Sequence, residues 1–159
     1  MADFDFIGAL GQLPKMDDIK SDLESMASFS GASLQVRNSL HLYAAAIAQS
    51  ILSGVTPTQL RRFYTYVKSI DLANRNQPDT SEDIKDKYKL MFILPKIAGT
   101  GDEERKKLNG LYEILALCLL RGEKIKTVAD LRMFVEFFEA IVDYHASLPN
   151  RASNSNRRA

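Results

Sequence analysis

Between Thr56 and Arg75 four cations face one acid, and their spacing is the feature of this sequence best suited to chemistry on a charged ligand. Arg61, Lys68 and Arg75 recur at steps of seven, which on a helix puts them on nearly one side, with Arg62 beside them and Asp71 the only acid. At 1.5 Å of rise per residue the row would run roughly 21 Å. Such a ridge can neutralise backbone phosphates or meet an acidic protein surface; the plain alternative is a solvated face, whose usual signature is mixed charge. Lys85, Lys89 and Lys96 fall in a narrow sector of a second predicted helix. Glu136, Glu139 and Asp143 form an acidic ridge on a third, with Arg132 as the one favourable partner a turn before Glu136. Glu139 and Asp143 are like charges one turn apart, so this ridge is expected to face another protein that offsets their repulsion.

The residues of enzymatic chemistry are sparse. Two histidines and one cysteine leave a metal site dependent on acidic clusters, and Asp17-Asp18, Glu82-Asp83 and Asp102 to Glu104 sit at predicted helix starts, where the helix dipole already favours carboxylates. No metal and no cofactor is expected. His41 reads as a half-buried helix residue, and His145 as a cation favoured near a helix end. Gly99-Thr100-Gly101 lacks the lysine-serine ending of a phosphate-cradling loop and follows no strand. The expectation is a protein that is not an enzyme.

The elements that must carry these residues read as helices throughout. Met16, Ile19, Leu23 and Met26 repeat at helical spacing from Pro14 to about Ala27, and Ser28 to Ser33 supply a loop with Gly31 at its turn. Leu34 to Leu52 contains one charged residue, Arg37, so this helix should be buried on several sides and end at Gly54 in a left-handed cap. Thr56, Pro57 and Gln59 supply a capping box for the helix whose apolar stripe is Leu60, Phe63, Tyr64, Val67 and Ile70. Thr80 and Asp83 predict a further cap, opening a helix over about 81 to 98 that Pro95 should kink. Phe63, Tyr64, Phe92, Phe134, Phe137 and Phe138 are assigned to the core rather than to base stacking. A helix from Asp102 carries Leu108, Leu111, Tyr112, Leu115, Cys118 and Leu119 and stops at Gly122; Thr127 and Asp130 cap a last one through Leu131, Phe134, Phe138, Ile141 and His145. Residues 1 to 13 have no clear assignment beyond a short helix or a docking arm.

The result is an all-α bundle of about five or six helices in one domain, residues 1–149, followed by a disordered basic tail, residues 150–159. A length of 159 residues and 45% hydrophobic content support a core without disulfides or metals. A net charge of +1 excludes the simple argument from overall basicity to nucleic acid; local charge is what counts, since residues 1 to 28 hold six acids against Lys15 and Lys20. The lone cysteine, the absence of a cationic leader and the lack of a long apolar run make a soluble, cytoplasmic protein the default, with no membrane partner.

Three stretches in order, Thr56-Pro57-Thr58-Gln59-Leu60-Arg61-Arg62-Phe63-Tyr64, Leu94-Pro95-Lys96-Ile97-Ala98, and Phe134 through His145, resemble the small helical subunit of type III-A CRISPR effector complexes, the Csm small-subunit family. The resemblance spans roughly residues 35 to 147. It implies an all-helical, noncatalytic subunit that stacks in several copies beside the backbone and large subunits of an antiviral ribonucleoprotein and contacts guide RNA and target RNA. Carried over by residue, it makes Arg61, Arg62 and Lys96 candidates for RNA binding, to which the ridge adds Lys68, Arg75 and Lys89. The family's helix after the Pro-Lys motif runs on to a glycine and an arginine, whereas here it breaks at Gly99 to Gly101. Arg105 is the nearest arginine to that role. Base pairing supplies sequence information in such complexes, so phosphate contacts suffice. The rival reading is a helical adaptor that binds only proteins.

Overall fold

The computed structural model describes residues 4–120 and 123–149. The expected stop at Gly122 and the basic tail lie outside them. The described chain forms a short 3-10 turn, Gly8–Leu10, and then α1 (Met16–Ser25), α2 (Leu34–Ile51), α3 (Pro57–Ala73), α4 (Lys87–Met91), α5 (Ile93–Ala98), α6 (Asp102–Leu119) and α7 (Val128–Ser147). It is an all-α bundle, and among the described residues there is no strand.

α7 is the central rod. It packs along α2 and α3, while α6 lies against α5 and α1 and touches α2. The alanine-rich middle of α2 explains the close approach: Tyr43 through Ala48 are all buried, as expected of a helix with almost no polar face. Gly110 serves the same end on α6, because a Cβ there would meet the Ile51 side chain at 3.0 Å. Phe29 leaves the loop after α1 and enters the core, edge-on to Phe134 at 5.9 Å between centroids. That ring makes the loop part of the core.

Two of the three predicted caps form. Thr56 Oγ1 accepts from the Gln59 amide at 3.1 Å and Gln59 Oε1 from the Thr56 amide at 3.0 Å. Thr127 and Asp130 make the reciprocal pair at the start of α7.

The predicted helix over 81 to 98 does not form as one piece. Residues 79–81 are drawn instead to the start of α7, where Val128 N donates to Ser81 O at 2.9 Å and Ala129 N to Asp79 O at 3.0 Å. Fully buried Asn74 takes the other end: its amide accepts from Lys85 N at 2.7 Å and donates to Lys85 O at 3.0 Å. These bonds outcompete the local cap at Thr80. Helix begins only after Asp86, which takes a left-handed φ of 61°. The interruption sits at Phe92, three residues before Pro95, because a proline in the first turn of α5 loses no intrahelical hydrogen bond. Phe92 stands at the joint and is exposed, so its assignment to the core is corrected.

Other expectations are corrected too. α2 ends at Leu52, and Gly54 is not left-handed. His41 is exposed. His145, by contrast, is buried with the inner face of α7 as its spacing predicts, with Nε2 2.8 Å from Leu52 O. Arg132 turns away from Glu136 and places its guanidinium on the carbonyls of Asn74, Arg75 and Gln77, at 3.1, 3.2 and 2.9 Å, and on the Asp79 carboxylate. It thereby satisfies carbonyls left open where α3 ends.

Candidate nucleic-acid interface

Arg62 lies in the second turn of α3 and Lys96 in α5, and the bundle brings them to one open groove of about 610 Å³. Phe63, Thr65 and Tyr66 supply one wall, the Gly99-Thr100-Gly101 turn another, and Glu104 of α6 is the one acid along it among the described residues. Packing fixes the geometry. Phe63 is buried in the α3 stripe, and the Arg62 guanidinium lies 5.1 Å from its ring centroid. Lys96 Nζ lies 4.8 Å from the centroid of Tyr66, whose hydroxyl donates to Lys89 O at 2.7 Å. An ammonium seated on a ring face keeps its charge toward solvent while its stem is held.

Electrostatic relief inside the groove is slight. Arg62 meets Glu104 at 3.4 Å, an exposed pair worth at most about 1 kcal/mol. Burial raises the pKa of Tyr66 above the usual value although nearby Lys89 pulls the other way, so the phenol stays protonated at neutral pH. Arg105 is occupied elsewhere: its guanidinium reaches Ala98 O and Thr100 O, both at 3.3 Å, and the Asp102 carboxylate. It caps the end of α5 and shapes the turn.

Part of the predicted ridge goes to a second groove. Lys68 and Arg75 line it with Asp71, Asp79, Glu136 and Glu139, so two of the three ridge cations share a groove with two of the three acidic-ridge residues within one molecule. Lys68 pairs with Asp71 at 3.1 Å, and that hydrogen bond, set against a smaller effect of burial, holds its pKa above the ordinary lysine value. Arg75 stands beyond the end of α3, after Asn74 at the C-cap. Arg61 is exposed on α3, and Lys89 is exposed near Asp86, at 3.7 Å. Asp143 lies apart from the second groove, beside Phe6, His41 and Tyr144.

Tyr66 and Glu104 are the groove residues that sequence reasoning missed. Tyr66 had a signal, since it follows Arg62 by one helical turn; Glu104 had none, because only the packing of α6 beside α5 brings it there.

Burial pushes the Cys118 thiol up to about 12, which keeps it protonated at neutral pH. Among the described residues no group of three or more His, Cys, Asp or Glu side chains is arranged to hold a metal ion. No helix of the described residues is long and apolar enough to cross a membrane.

Residues 35–150 match the protein-family model described as Csm2 Type III-A. The chain belongs to that family. No curated protein and no solved structure matches it. Membership makes it a small structural subunit of the type III-A CRISPR effector class. The Csm2 match covers α2 through α7 and hence the whole groove, while α1 lies outside it. α1 is nevertheless built into the bundle through fully buried Ile19 and Leu23 and through the Tyr43 hydroxyl, which donates to Asp22 at 2.5 Å. Burial first, and then that bond, push the Tyr43 phenol up to about 12.

Proposed function

We propose that this chain is a noncatalytic, RNA-binding structural subunit that lines the guide RNA/target RNA filament of a type III-A CRISPR ribonucleoprotein in antiviral defence. Its partners are the two RNAs, the backbone and large subunits, and further copies of itself, and its place of action is the cytoplasm. The observation that carries the RNA-binding part is the convergence of Arg62 and Lys96, from two separate elements, on one groove with a single acid. Both side chains are held by aromatic rings with their charged ends available, the arrangement a phosphate needs. Arg61 and Lys89, exposed but outside the groove's lining, are secondary contacts on this reading. Lys68 and Arg75, among four carboxylates, contribute less to RNA than their spacing alone suggests.

The test replaces Arg62 and Lys96 together with glutamine, which keeps helix-compatible side chains. Every cation removed from a single-strand phosphate should reduce the slope of log affinity against log salt by about 0.7, so the double variant should flatten it by roughly 1.4. The change should be the same for unrelated RNA sequences. An unchanged affinity and slope would favour the protein-only adaptor, for which the mixed-charge groove of Lys68, Arg75, Glu136 and Glu139 would be the binding face.

A further inference from the structure

Two of the largest side chains in the α4–α5 region are left in solvent. Tyr88 is 62% exposed and Phe92 55% exposed, one turn apart, with ring centroids 6.1 Å apart and planes at 90°. The edge-to-face contact takes up one face of one ring, and Lys89 Nζ lies 6.0 Å from the Tyr88 centroid, so the pair offers its remaining exposed ring surface to a planar ligand beside a cation. We infer that Tyr88 and Phe92 form a platform on which unpaired bases of the bound RNA stack, an inference that rests on the RNA-binding reading of the adjoining groove.

Charge and continuity select this occupant. Between residues 85 and 96 there are four lysines, Lys85, Lys87, Lys89 and Lys96, against Asp86 alone. An aromatic pair set among cations suits a strand that offers both a π-face and a phosphate at each nucleotide. Tyr88, Phe92 and Lys96 follow one another at steps of four, so the platform leads along α4 and α5 to the Lys96 of the groove. Tyr66 ties the two together, because its hydroxyl holds the Lys89 carbonyl and its ring carries the Lys96 ammonium. Stacking is tolerant of sequence, as a subunit that leaves readout to base pairing requires. A strand crossing the groove would thus be held by phosphates at Arg62 and Lys96 and by bases at Tyr88 and Phe92.

The experiment uses the full chain with two probes, an unstructured RNA strand and an abasic ribose-phosphate strand of equal length. The wild type should bind the base-containing strand roughly tenfold more tightly, with equal salt slopes for the two. Tyr88→Ala with Phe92→Ala should erase that difference and leave the slope unchanged, whereas Arg62→Gln with Lys96→Gln should flatten the slope for both strands. Both aromatic side chains are exposed, so thermal unfolding of the aromatic variant should match the wild type. The chain has no tryptophan, so Tyr88→Trp gives a unique reporter whose emission should be quenched by the base-containing strand and much less by the abasic one. Equal wild-type binding of the two strands with the salt dependence intact would overturn the platform and leave the groove standing. An aromatic variant that retains the wild-type preference for bases, yet fails to enter the effector complex, would assign the ring pair to a protein neighbour instead. A wild type that binds neither strand would overturn the groove reading and the platform with it.

Discussion

Asp130 illustrates how a residue can be legible in one role and hidden in another. Its spacing from Thr127 marks a helix cap, and the cap forms. The same carboxylate, only 1% exposed, also accepts from the Ser30 amide at 2.7 Å, the Ser30 hydroxyl at 2.6 Å and the Lys126 amide at 2.8 Å. Nothing local in the sequence connects Ser30 with Asp130, because that pairing exists only once Phe29 has been drawn into the core. Burial by itself would raise the carboxyl's pKa, but the bonds from Ser30, Lys126 and Thr127 together outweigh it and the net direction is down. A depressed pKa contributes stability that is present above the unfolded-state value, near 3.9, and is lost as pH falls through the folded-state value. Acid titration of the wild type should therefore show unfolding free energy declining below about pH 4. Asp130→Asn keeps the volume but puts an NH2 group among donors, so it should cost about 2 kcal/mol at neutral pH and make the acid decline shallower. Urea denaturation across pH checks both; an unchanged neutral stability would contradict this anchorage of the loop. Buried Lys124 is equally hidden in the sequence: its ammonium donates to Glu24 O and Met26 O, both at 2.6 Å, where α1 ends.

Helices with a long apolar stripe are readable because burial and local propensity agree along them, and α2, α3, α6 and α7 appear where periodicity puts them. The segment from 79 to 98 misleads because there the two disagree. Its cap signal at Thr80 is local, whereas Asn74 and the first amides of α7 bind its backbone, and Arg132 the Asp79 carboxylate, from a distance. The two charged ridges are each readable as spacing, yet their juxtaposition depends on α3 packing against α7, which no single helix encodes. Part of the acidic ridge therefore finds compensation within the molecule, and Asp143 together with the exposed edges of Glu136 and Glu139 is the part proposed to meet a neighbouring subunit. Changing all three to glutamine should leave the far-ultraviolet circular dichroism of the free chain unchanged while reducing its incorporation into the reconstituted complex. Wild-type incorporation would remove this ridge from the interface.

At the scale of the whole molecule, the all-helical class follows from pattern, but the position of a binding site does not. Spacing along one helix favours Arg61, Lys68 and Arg75; the fold takes Lys68 and Arg75 to a mixed-charge groove, leaves Arg61 exposed outside both grooves, and ends α3 before Arg75. Arg62 and Lys96 are RNA candidates through motif resemblance, and only packing places them side by side. The exposure of the Phe92 ring is hidden because an aromatic in an apolar run reads as core, and the break that turns it outward has no local marker except Pro95 three residues later. In the assembled state the groove of α3 and α5 should lie on RNA. Ultraviolet crosslinking of the reconstituted complex loaded with guide and target RNA, followed by mapping of the crosslinked peptides, reads out this contact. Adducts on this subunit should fall within α3 around Arg62 and Tyr66 and in α4 and α5 from Tyr88 to Lys96; adducts confined to other surfaces, or to other subunits alone, would contradict the claim.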